Sequence, residues 1–99
     1  MQQAPSYLET LGKADPKMLE HVTSVREYVI ADGALSAKVK TLMTMLCDAL
    51  LAHENGVYVI SQRARALGAS EEEIAETVQV AYLMGGTPAL VTGCNAFRE

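Results

Sequence analysis

The feature that most constrains this 99-residue chain is its punctuation: helix-start signals recur from end to end, and almost nothing reads as a strand. Ser6 followed by Glu9 can form a capping box that opens a short first helix ending near Gly12. Asp15-Pro16 supplies an N-cap and a proline at the first helical position. Apolar residues at Met18, Val22, Val25, Tyr28 and Val29 then carry an amphipathic helix to Ile30, where Asp32-Gly33 ends it. The expectation is an all-α fold.

Ser36 can cap a third helix. Its set Val39, Leu42, Met43, Leu46, Cys47 and Leu50 follows the i, i+3, i+4, i+7 spacing of a wide buried stripe, with Lys40, Thr44 and Asp48 opposite. Asn55-Gly56 suits a left-handed exit, after which Val57, Ile60, Ala64 and Leu67 mark one face of a fourth helix closed by Gly68. The tetrapeptide His53-Glu54-Asn55-Gly56 thus falls at a helix-to-helix junction. Ser70-Glu71-Glu72-Glu73 is a strong helix start, a capping box with three carboxylates at the positive end of the dipole. The helix it opens is expected to bury Ile74, Val78, Ala81 and Tyr82 and to break at Gly85-Gly86. Thr87-Pro88 then starts a last helix in which Gly93 lets a neighbour approach closely. No linker, low-complexity tract or internal repeat interrupts this order, so residues 1–99 read as one domain.

Apolar residues make up 49% of the chain and aromatics 5%, more aliphatic surface than a domain this small can enclose alone, which points to assembly with further copies of itself. Twelve acids against eight bases give a net charge of -4 and leave no basic stripe to neutralise phosphates, which argues against nucleic acid as a partner. No apolar run approaches the roughly 18 residues of a membrane span, and the N-terminal segment lacks a basic-then-hydrophobic leader, so a cytoplasmic location is the default expectation. Cys47 and Cys94 lie on separate apolar segments and read as two buried free thiols.

The run from Arg63 to Gly86, RARALGASEEEIAETVQVAYLMGG, and its spacing from Lys38-Val39-Lys40 resemble the carboxymuconolactone decarboxylase-like family, which includes the alkylhydroperoxidase D-like proteins. The resemblance covers roughly residues 36 to 97 and implies a small orthogonal all-α domain assembled as a homotrimer or homohexamer. Redox members carry a glutamate on the first of these helices, a Cys-x-x-Cys pair at the junction and a histidine four residues beyond it. By that resemblance, those positions fall here on Thr41, on His53 and Gly56, and on Ile60. A thiol peroxidase needs one thiolate to attack and a second thiol to resolve, so this chain is not expected to run that cycle there.

Three candidates remain at the junction. His53 can carry a proton, Glu54 can orient it, and Tyr58 can point a hydroxyl into an adjoining pocket or lie at a subunit contact. The bland reading of His53-Glu54 is a solvated pair at a helix end. A metal is not expected, because His-Glu without the second histidine of an HExxH helix falls short of a ligand set, and no cofactor is implied. The functional readings are a small-molecule lyase or isomerase-like enzyme using His53, a non-enzymatic oligomeric binding or scaffold module, and residual thiol peroxidase chemistry through Cys47 or Cys94.

Overall fold

A computed structural model describes residues 6–99, and among them every regular element is helical. The chain divides into two compact units, Met1–Ala31 and Asp32–Glu99.

The first unit holds α1 (Tyr7–Ala14) and α2 (Pro16–Ile30). The Ser6 hydroxyl accepts from the Glu9 amide at 3.4 Å, as a cap should. α1 runs past Gly12 to Ala14, and the Asp15 amide donates back to the Leu11 carbonyl. Asp15 then caps α2, its carboxylate accepting from the Met18 amide at 3.1 Å with Pro16 at the first helical position. Arg26 of α2 donates to the Tyr7 hydroxyl of α1, a polar tie between two helices that bury no residue fully. Met18, Val25, Tyr28 and Val29 stay exposed on α2.

The second unit holds α3 (Ala37–Leu50), α4 (Glu54–Ala66), α5 (Glu71–Gly93) and a closing 3₁₀ turn, Cys94–Phe97. α3 packs against both α4 and α5, and the turn packs back on α4 and α5. The core is Met45, Ala49, Val57, Ile74, Val78, Ala81, Ala89 and Ala96, with Leu42, Leu46, Ile60 and Ala69 against it. Small side chains dominate, so the helices approach closely and most of the larger aliphatic residues are left outside.

That choice rotates α3 from its expected orientation. Its buried face is Thr41, Met45 and Ala49, while Val39, Met43, Cys47 and Leu50 form a second apolar stripe that faces outward. Both cysteines are accordingly exposed free thiols rather than buried ones, Cys47 on that outward stripe and Cys94 in the 3₁₀ turn. Tyr82 and Leu67, expected inside, are about half exposed.

α5 opens with the full capping box: Ser70 Oγ accepts from the Glu73 amide at 3.0 Å, and Glu73 Oε1 accepts from the Ser70 amide at 2.8 Å. The other Glu73 oxygen receives Lys38 Nζ at 2.9 Å, tying the start of α5 to the first turn of α3. The expected break falls at Gly86, whose φ of 73° only glycine adopts freely, and Pro88 restarts the helix. The break turns the last segment back on the first: a Cβ on Gly93 would stand 3.0 Å from Val78 Cγ1. Gly93 thus permits the close approach its sequence position suggested, the neighbour being the earlier part of α5.

Candidate active site at the helix junction

The exit from α3 is a loop closed by backbone bonds. The His53 amide donates to the Asp48 carbonyl at 2.8 Å and the Ala52 amide to the Ala49 carbonyl at 3.4 Å, the paired bonds of a Schellman motif. Its left-handed residue is Ala52, at φ 62°. The expected left-handed pair, Asn55-Gly56, lies instead inside the first turn of α4. The turn comes earlier, between Ala49, the last core residue of α3, and Val57, which is fully buried.

This loop sets the side chains of Asp48 and His53 face to face. His53 Nδ1 and Asp48 Oδ1 are 2.9 Å apart, so the two residues are bonded through both backbone and side chain. A carboxylate can only accept, so this contact calls for a proton on Nδ1 and leaves Nε2 as the ring's unpaired nitrogen, a lone pair in the neutral imidazole and a donor in the charged one. The His53 side chain is 56% exposed and that of Asp48 23%, so the imidazole is open to solvent while the carboxylate bonded to it is more sheltered. Glu54, the orienting carboxylate expected from sequence, sits exposed in the first turn of α4, and the carboxylate bonded to the imidazole is that of Asp48. Adjacent residues on a helix point about 100° apart, whereas a Schellman exit returns the chain to a residue five positions back.

Tyr58, the third candidate, takes part in a different cluster. The Arg98 guanidinium lies 4.2 Å above its ring centre, and the Tyr58 carbonyl accepts from the hydroxyl of Ser61, which is fully buried. Arg65 completes this layer. It grips Glu71 with two parallel bonds of 2.8 and 2.9 Å, donates to the Ala96 carbonyl at 2.9 Å and reaches the Ser61 hydroxyl at 3.2 Å. The Glu71 hydrogen bonds hold the Arg65 pKa above its ordinary value, and the same pairing holds the Glu71 carboxyl below its own. This cluster joins the end of α4, the start of α5 and the C-terminal turn, and its chemistry is that of a fastening.

At the positions where the redox pattern places its other groups, Thr41 is buried in the α3 face and Ile60 packs against the core. Among the described residues no three His, Cys, Asp or Glu side chains gather as a metal site would need, and no helix is long and apolar enough to cross a membrane.

Comparison with known proteins agrees with this architecture. The chain is 26% identical over 92 residues to an uncharacterised protein of Methanocaldococcus jannaschii, an alignment spanning 93% of this chain and 86% of that one. The crystal structure of an apo carboxymuconolactone decarboxylase family protein from Legionella pneumophila superposes with a TM-score of 0.85 at 30% identity, over 91% of this chain and 80% of that one. The profile of the carboxymuconolactone decarboxylase family matches residues 16–99, which takes in α2 and all of the second unit. The chain belongs to the carboxymuconolactone decarboxylase family.

Proposed function

We propose that this protein is a thiol-independent lyase or isomerase of its family, with His53 as the proton carrier and Asp48 as the carboxylate that orients it. The observation that carries this reading is the 2.9 Å contact between His53 Nδ1 and Asp48 Oδ1, which occupies one ring nitrogen and leaves Nε2 without a partner. The family's name suggests the substrate class, an unsaturated lactone bearing a carboxylate. Loss of carbon dioxide from such a lactone leaves an electron pair delocalised into the conjugated ring, and a proton must then be delivered to carbon. Having taken a proton from water at Nε2 while Nδ1–H stays on Asp48, His53 is the group here suited to deliver it, and delivery returns the neutral imidazole.

A thiol peroxidase cycle has less to stand on, since the paired positions hold His53 and Gly56 and the two cysteines lie on separate elements. The reading as a homo-oligomeric binding or scaffold module rests on a different observation. Leu83, Met84 and Val91 of α5 are large apolar side chains left 77%, 72% and 64% exposed. Assembly into a trimer or hexamer would cover such residues.

The test is turnover of a carboxylated muconolactone, followed by carbon dioxide release, with wild type beside His53→Ala. Loss of general acid–base catalysis predicts a fall of about 10²- to 10⁴-fold in the variant. Wild type that leaves the lactone untouched, or His53→Ala at wild-type rate, would overturn this reading and leave the binding module.

A further inference from the structure

Gly56 stands in the first turn of α4, a place where helix propensity gives no reason for glycine. Its φ is not left-handed, so no backbone demand explains it either. The explanation lies across the junction. A Cβ built on Gly56 would fall 2.7 Å from Asp48 Oδ2, 2.9 Å from Asp48 Cγ and 3.2 Å from Asp48 Oδ1. The Asp48 carboxylate therefore fills the space that any side chain at position 56 would need, and it is from this place that it reaches His53 Nδ1.

We propose that Gly56 is a positioning residue for His53, acting through Asp48: its missing side chain is the seat of the carboxylate that holds the imidazole. This deepens the proposed function and rests on the His53–Asp48 pair. A side chain at position 56 and an Asp48 carboxylate bonded to His53 exclude one another. The carboxylate is the far end of a side chain with free torsions, so alanine at 56 would swing it aside at little cost to the fold while taking away the partner of Nδ1. By the same exclusion, a thiol at position 56 cannot be added to this junction unless Asp48 gives way.

The measurement is the 15N spectrum of the histidine side chains above neutral pH in wild type, Gly56→Ala and Asp48→Ala, with His21, the chain's other histidine, as internal reference. The expected result has His53 protonated at Nδ1 in wild type and moved to one common, mixed tautomer pattern in both variants, with His21 unchanged. Thermal unfolding of Gly56→Ala should stay at or above the wild-type temperature, which a merely structural glycine would not allow. A Gly56→Ala protein whose His53 keeps the wild-type pattern overturns the proposal. Should Gly56→Ala fail to fold, the double variant Asp48→Ala/Gly56→Ala decides: recovery of the fold supports the shared space, and continued failure overturns it. No substrate enters these spectra, so they pass or fail independently of whether the lactone is turned over.

Discussion

The exits of α3 and α4 are built on the same backbone plan and end in different chemistry. After α4 the Ala69 amide donates to the Ala64 carbonyl at 2.9 Å with Gly68 left-handed at φ 95°, and after α3 the His53 amide donates to Asp48 with Ala52 left-handed at φ 62°. The α4 exit takes the residue that accepts this conformation without strain, and Arg65, Glu71 and the Ser70 capping box then lock the next helix down. The α3 exit accepts a Cβ where glycine would be easier, and it leads directly into a bonded histidine with an open nitrogen. Non-glycine residues held left-handed collect at functional sites because the surrounding structure sustains the strain. One exit is a fastening and the other carries the proposed site.

Breaking the fastening should have the largest effect on stability. Arg65→Met removes the partner of Glu71 and leaves the Ala96 carbonyl and the buried Ser61 hydroxyl short of a donor. The expected cost is on the order of 1–3 kcal/mol in denaturant unfolding, with the His53 imidazole spectrum unchanged. The variant also alters the response to acid. Pairing holds the folded-state pKa of Glu71 below its usual value, so its contribution is present above the unfolded carboxyl's pKa and is lost as pH falls through the folded one. Arg65→Met should flatten that part of the acid-stability profile. The part from Glu73, held low by its bond from the Ser70 amide and then by Lys38, should persist.

A smaller effect tests the exits themselves by exchanging their residues. Gly68→Ala meets no atom within 4 Å, so its whole cost is the left-handed backbone, about 1–2 kcal/mol of stability lost. Ala52→Gly relieves the same strain but gives the unfolded chain more freedom, which leaves a net gain below about 1 kcal/mol. Equilibrium unfolding of both variants checks the pair, and equal signs for the two would remove the distinction between a relaxed and a strained exit.

The sequence carried the helix starts well because caps are local. Ser36, Asp15-Pro16 and the Ser70–Glu73 box each hold the amides they were expected to hold. It carried faces less well. α3 has apolar residues on two stripes, and periodicity alone cannot say that the one with Thr41, Met45 and Ala49 turns inward while Met43 and Cys47 turn out. His53 was legible as a candidate, but its partner was not. Glu54 is adjacent in sequence, and Asn55-Gly56 looks the better turn, yet the turn is made by Ala52, against its propensity, and that choice brings Asp48 to the imidazole. Tyr58 shares α4 with the junction, but its ring belongs to Arg98.

The most direct test of the central claim, that Asp48 acts through His53, is a double-mutant cycle on kcat/KM for the carboxylated lactone with His53→Ala and Asp48→Asn. Loss of an orienting partner predicts that Asp48→Asn alone costs roughly 10- to 100-fold, and nothing further once His53 is alanine. If Asp48→Asn costs the same factor in both backgrounds, or costs nothing in either, the pair at the junction is not the working unit.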